Sequence, residues 1–121
     1  MTDKKVGFVV THAADDPEMA TLPFMLAVGA MTMEVAPVVI LQGEGVRLAI
    51  PGEAEAAAAE GLAKVADLMA AVLAAGNRIM VCSPCLSNRG LSQEDLLEGC
   101  FVGGAGQVVQ EMLECENFLK Y

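Results

Sequence analysis

The stretch that decides the fold runs from Arg78 to Leu91 and reads RIMVCSPCLSNRGL. Its apolar first part predicts a buried strand. A helix is predicted to follow at once, with Ser83 as its N-cap and Pro84 as its first residue, because proline suits the first turn of a helix. Cys82 and Cys85 would then lie where a strand ends and a helix begins, which is where open α/β sheets place their ligand crevices.

Apolar runs elsewhere predict the other strands of the sheet. Val6–Thr11 and Val35–Leu41 are apolar at nearly every position, as parallel strands buried on both faces are, and we expect them beside Ile79–Cys82. Shorter strands are predicted at Cys100–Val102 and Glu116–Leu119. Helical patterns lie between the strands, so residues 1–121 are predicted to form one doubly wound α/β domain, a mostly parallel sheet with helices on both faces.

The sequence leaves the start of one helix open and predicts the end of another. The helix after the first strand contains Pro23, so it begins either at Asp16 with the proline inside it or near Thr21 with the proline in its first turn. The Ala-rich run Glu53–Ala75 is predicted to be helical, because its apolar residues recur at helical spacing. Gly61 leaves open a break between a leading exposed turn and the main helix. Gly76 is predicted to end that helix.

Composition limits the environment and the partners. The chain has a net charge of −9, which makes nucleic acid an improbable partner. No apolar run is long enough to cross a membrane, so no membrane insertion is predicted. The first residues lack the apolar core of a signal peptide, and we therefore expect a cytoplasmic protein. In a reducing compartment its four cysteines are predicted to be thiols, redox groups or metal ligands rather than a disulfide framework.

The spacing of Cys82 and Cys85 fits several thiol chemistries. A structural zinc needs about four ligands, and the remaining candidates, Cys100, Cys115 and His12, form no second close pair, so neither a metal nor another cofactor is predicted. A redox dithiol and a persulfide carrier both stay open, as does the simpler interpretation of two buried, unreactive thiols.

Three other residues complete the predicted crevice. Arg89 lies four residues past the second thiol and can supply positive charge to a thiolate. Gly45 lies in the loop after the second strand, which would wall the same crevice. His12, the one histidine of the chain, follows the first strand.

At these positions the sequence resembles the DsrE/DsrF-like family of sulfur-relay proteins, whose members include TusD-related subunits. The segments that carry the resemblance, in chain order, are Val6–Thr11, Gly45-Val46, Cys82 followed by Arg89-Gly90, Leu96-Leu97-Glu98-Gly99, the glycine turn 103–106, and Cys115 to Tyr121. The resemblance implies a small α/β fold, assembly into homotrimers or homohexamers, and a sulfur-accepting cysteine at Cys82. Cys85 is an added thiol compared with the single-cysteine relay subunits.

Two functional hypotheses follow. In the first, the protein is a sulfurtransferase-like carrier that works with sulfur donor and acceptor proteins, with Cys82 as acceptor and Cys85 as resolving thiol. In the second, it is a non-catalytic oligomeric module for small-ligand binding or thiol redox chemistry. Its crevice is then lined by His12, the 43–51 loop and the two thiols, with His12, Arg89 and Gly45 as binding residues. The helix N-terminus favours Cys85 as the more reactive thiol, whereas the resemblance favours Cys82.

Overall fold

The structure, a computed structural model, describes residues 3–121; the first two residues of the N-terminal run discussed above lie outside the described part. Its centre is a five-stranded, wholly parallel sheet in the order β4-β3-β2-β1-β5. The strands are β1 (Lys5–Val10), β2 (Ala36–Leu41), β3 (Ile79–Cys82), β4 (Cys100–Gly103) and β5 (Asn117–Lys120).

Helices cover both faces of the sheet, as the alternation of strands and helices predicts. The helices are α1 (Pro17–Thr32), α2 (Glu53–Ala56), α3 (Val65–Ala74), α4 (Ser83–Ser87) and α5 (Ala105–Glu114), with 3₁₀ turns at Gly43–Ala49 and Gln93–Asp95. The main core lies on the side of α1 and α3, around Phe8, Phe24 and Val72. A smaller cluster lies under α5, around Ile40, Met80 and Val108. Within residues 3–121, none of the helices combines the length and the apolar character that crossing a bilayer requires.

The three strands predicted as neighbours are neighbours, in the order β3-β2-β1. Pro37 lies early in β2, where it pairs with β1, while pairing with β3 begins only at Val39. A proline lacks the N–H that a strand paired on both sides needs, so the second partner joins only beyond it. Pro37 therefore lies outside the part of the strand that is paired on both sides.

The observed helices agree less closely with the sequence predictions than the strands do. The first helix takes the earlier of its two possible starts, with Asp16 as N-cap and Pro23 inside it. The run Glu53–Ala75 is divided and not one continuous helix, because residues 57–64 separate α2 from α3. Gly61, in this break, has a φ of +83°, a left-handed conformation that a continuing helix does not allow.

Candidate thiol site

The thiols occupy the junction between β3 and α4, at the carboxyl edge of the sheet. The helix begins one residue earlier than predicted: Cys82, still extended at φ −62° and ψ 121°, takes the N-cap position instead of Ser83. Cys85 is therefore the third helical residue rather than the second. Cys82 keeps the extended backbone of β3, and helical geometry begins at Ser83, directly after it.

Cys82 is the more enclosed of the two thiols, with 9% of its surface exposed. Burial raises the pKa of the Cys82 thiol above its ordinary value, and the adjoining Cys85 thiol raises it further. Two groups oppose this rise in pKa: the backbone N–H of Cys85, which points toward the Cys82 sulfur without closing a well-aligned hydrogen bond, and the Arg89 guanidinium. Cys82 is thus a neutral thiol at neutral pH whose anion nevertheless has groups nearby to stabilise it.

Cys85 is half-buried and has a donor of its own. The backbone N–H of Gly43 donates a hydrogen bond to Cys85 Sγ at 3.3 Å, from a residue 42 positions away in the chain. An amide aimed at sulfur stabilises a thiolate, or the terminal sulfur of a persulfide, more than it stabilises a neutral thiol.

The donor is held in place by the Gly43–Ala49 turn, which packs across the carboxyl end of β1. Val46, Leu48 and Ala49 are fully buried and anchor this turn in the core. At Gly45 a Cβ atom would overlap the carbonyl oxygen of Val10, so only glycine allows the turn to approach this closely. The sequence prediction that Gly45 walls the crevice therefore corresponds to a specific contact with β1.

Arg89 reaches the site, but its charge is shared with a glutamate. Its Nε donates to Glu44 Oε1 at 2.8 Å, and its Nη1 donates to the carbonyl oxygen of Cys85 at 3.1 Å. The other oxygen of Glu44 accepts a hydrogen bond from Arg47 Nε at 3.0 Å, and Glu53 lies 4.0 Å from Arg47. The hydrogen bond from Arg89 is the largest cause that lowers the pKa of the Glu44 carboxyl, which is therefore ionised at neutral pH.

His12 lies at the same edge of the sheet, but its nearest polar partner is an acid rather than a thiol. Its Nδ1 is 2.7 Å from Asp15 Oδ2, and Asp15 also accepts a hydrogen bond from the backbone N–H of Ala13. A carboxylate only accepts hydrogen bonds, so this contact places a proton on Nδ1 and leaves Nε2 available. The structure thus brings Cys82, Cys85, Arg89 and the turn together, and His12 is paired with Asp15 instead.

The other two cysteines lie apart from this site. Cys100 begins β4 and is 5% exposed, and Cys115 follows α5. Residues 3–121 contain no group of three or more His, Cys, Asp or Glu side chains placed to hold a metal ion. Metal analysis remains the test of the zinc prediction.

The sequence placed the loop that contains Gly43 and Glu44 at the crevice but did not indicate which contacts these two residues make. Both follow β2, yet their partners Cys85 and Arg89 follow β3, 42 and 45 residues further along the chain. The only local signal was a loop at the end of an apolar strand. Nothing in the spacing indicates which side chain of that loop faces the thiols.

Comparison with known proteins identifies relatives over nearly the whole chain. The family model of the DsrE/DsrF-like family matches residues 4–121. The uncharacterized protein MJ0760 of Methanocaldococcus jannaschii is 32% identical over 95 residues, which cover 78% of this chain. That stretch is 34% of the relative, so the chain spans about one third of its length.

Two solved structures share the fold. The ychN protein from E. coli superposes with a TM-score of 0.82 at 18% identity, covering 98% of this chain and 99% of that one. MTH1491 from Methanobacterium thermoautotrophicum, a protein of unknown function, gives a TM-score of 0.72 at 20% identity with the same coverage. At these identities the likeness establishes the architecture alone.

Proposed function

Because the chain belongs to the DsrE/DsrF-like family, we propose that it is a sulfur-transfer protein that carries sulfur as a persulfide on Cys82, with Cys85 as the resolving thiol. The observation that carries the proposal is the thiol pair at the carboxyl edge of the sheet, with a backbone N–H hydrogen-bonded to Cys85 Sγ at 3.3 Å. Such a pair offers a nucleophile, a second thiol, and a donor for a sulfur anion.

The loading step is a thiol–persulfide exchange. The Cys82 thiolate attacks the outer sulfur of a donor persulfide, a new S–S bond forms on Cys82, and the S–S bond of the donor breaks. The electron pair leaves with the donor thiolate, which takes a proton from water. Cys82 is assigned as the acceptor through the family resemblance, and its partial burial would shield the persulfide from solvent.

Unloading has two routes, and Cys85 determines which is used. An acceptor thiolate can attack the outer sulfur directly and take it from Cys82. Alternatively the Cys85 thiolate attacks the inner Cys82 sulfur, which closes a Cys82–Cys85 disulfide and releases hydrosulfide. A thiol reductant must then reopen the disulfide before the next cycle. The Gly43 N–H favours the second route because it stabilises the attacking thiolate.

The loading rate should depend on pH in a defined direction. Since the pKa of Cys82 is raised by burial, its thiolate is scarce at neutral pH, and the rate should climb as pH increases toward and beyond the ordinary thiol value. A loading rate that is already constant from neutral pH upward would contradict Cys82 as the attacking thiol.

Intact mass spectrometry tests the proposal. The protein is reduced, freed of reductant and incubated with cysteine persulfide. The expected result is one added sulfur atom per chain or, once Cys85 has resolved the persulfide, the loss of two hydrogen atoms with release of hydrosulfide; dithiothreitol should reverse both changes. An unchanged mass at every donor concentration would contradict sulfur transfer.

A thiol-redox module is the second candidate, favoured by the effect of the Cys85 thiol on Cys82, which places the two side chains side by side. In that case mild oxidation would remove two hydrogen atoms from the mass, and the persulfide donor would add no sulfur. Persulfide loading of Cys85→Ala, which cannot close the disulfide and should keep the added sulfur only if the protein is a sulfur carrier, therefore separates the two functions.

A further inference from the structure

Glu44 is the group that balances the positive charge beside the thiol pair. One of its carboxylate oxygens lies 2.8 Å from Arg89 Nε and the other 3.0 Å from Arg47 Nε, so a single acid engages both arginines. Glu53 adds a second acid 4.0 Å from Arg47. This cluster of two arginines and two glutamates carries no net charge.

The arginine nearest the thiols is also turned toward protein acceptors. Arg89 donates through Nε to Glu44 and through Nη1 to the carbonyl oxygen of Cys85, and its side chain is 20% exposed. The group that donates to sulfur is instead the neutral Gly43 amide. One neutral N–H suits a compact sulfur anion, whereas an oxyanion with several charged oxygens is best bound by a guanidinium fork.

We propose that Glu44 is a specificity-determining residue that reserves the thiol pair for persulfide donors and disfavours donors whose transferable sulfur is attached to a sulfonate, such as thiosulfate. This inference rests on the proposed sulfur transfer. Glu44 acts by occupying the Arg89 and Arg47 guanidinium groups that would otherwise hold the sulfonate oxygens.

Both donor classes deliver the same sulfur atom but release different leaving groups. In each case the cysteine thiolate attacks the outer sulfur, one S–S bond forms and one breaks. A persulfide releases a thiolate, whereas thiosulfate releases sulfite with the electron pair of the broken bond. Thiosulfate and sulfite carry more negative charge than the persulfide pair, so they depend more on a free cation and are repelled by a chain with a net charge of −9.

The test compares the loading rate from cysteine persulfide with that from thiosulfate in three proteins. The wild type should load faster from cysteine persulfide than from thiosulfate. Glu44→Gln keeps the size of the side chain and frees the arginines, so its thiosulfate-to-persulfide rate ratio should rise about three- to tenfold, as expected for partly exposed charges. Added salt should shrink that gain, because screening weakens a charge effect and not a packing effect.

Glu53→Gln is the matched control. It removes the same charge from the same cluster, but its carboxylate lies 4.0 Å from Arg47 rather than against Arg89. Its rate ratio should stay within about twofold of wild type. Each ratio is measured within one protein, so partial loss of folded material lowers both rates and leaves the ratio intact.

Four results would overturn the inference. An unchanged ratio in Glu44→Gln removes Glu44 as the determinant, and so does an equal rise in Glu53→Gln. Equal loading of the wild type from the two donors removes the specificity itself. Failure of the wild type to load from either donor contradicts the proposed function, and the inference about Glu44 falls with it.

Discussion

Cys82 and Cys100 lie on adjacent strands of one sheet, and their thiols have opposite surroundings. Cys82 ends β3 at the carboxyl edge, while Cys100 begins β4 at the amino edge, paired with Ile79. Both are buried. Burial alone raises the pKa of Cys100 to about 11, whereas at Cys82 a backbone N–H and a guanidinium oppose the effect of burial.

Both thiols are buried, so burial does not distinguish them. The edge of the sheet at which a thiol lies determines whether groups that stabilise its anion surround it. At the carboxyl edge, the N-terminus of α4 and the Gly43–Ala49 turn converge on the sulfur atoms, bringing N–H groups with them. At Cys100 desolvation acts without an opposing charge or donor. Cys115 is disfavoured too, because burial and the Glu111 carboxylate raise its pKa.

The largest expected effect comes from removing each thiol in turn. Cys82→Ala should abolish persulfide loading, and Cys100→Ala should leave it unchanged. Cys85→Ala should still load and should accumulate the persulfide, because the resolving thiolate is gone. Intact mass after a timed incubation with cysteine persulfide measures all three.

Other outcomes of these three substitutions would change the roles assigned to the cysteines. Wild-type loading of Cys82→Ala together with no loading of Cys85→Ala would reverse the two roles and leave the site in place. Loss of loading only in Cys100→Ala would contradict the contrast between the two edges. If no variant differs from wild type, the binding-module hypothesis replaces sulfur transfer.

A second test ranks the thiols by their reaction with iodoacetamide. A pKa of about 11 leaves Cys100 with roughly a hundredfold less thiolate at pH 8 than an ordinary thiol of pKa 9.0, and its rate should rise about tenfold per pH unit until that pKa. Peptide mass analysis after labelling from pH 7 to pH 11 follows each cysteine. Modification of Cys100 before either thiol of the pair would contradict the comparison.

A smaller effect, on the free energy of unfolding, should distinguish the glycine of the turn that supports the site from a glycine elsewhere in the fold. Gly45→Ala forces a methyl group against the Val10 carbonyl and should lower the free energy of unfolding by about 2–3 kcal/mol, with slower loading as the Gly43 donor shifts. Gly29→Ala, in the last turn of α1 with open space around it, should raise the free energy of unfolding by about 0.5–1 kcal/mol. Urea unfolding measures both; similar values for the two variants would refute the role of the turn.

The sheet could be predicted from sequence because its strands are local apolar runs with clear ends. Ile79–Cys82 is the same in the prediction and in the structure. The extent of the break between α2 and α3 could not be predicted. Gly61 marked its place, but alanine favours a helix at most positions around it.

The two cysteines and the arginine of the thiol site could be predicted from the sequence, whereas the contact that pairs the arginine with an acid could not. Cys82, Cys85 and Arg89 share one short motif. Glu44 joins Arg89 across 45 residues, a contact that depends on β2 and β3 pairing in register. As a result, the sequence suggested that Arg89 supplies free positive charge, whereas the structure pairs that charge with an acid.

The most direct test of the account is to locate the sulfur added to the wild-type chain. The protein is loaded with cysteine persulfide, the free thiols are blocked by alkylation, and its peptides are sequenced by tandem mass spectrometry. The account predicts the added sulfur on Cys82, or a Cys82–Cys85 disulfide formed after its release. Sulfur on Cys100 or Cys115, with Cys82 and Cys85 alkylated as plain thiols, would contradict it.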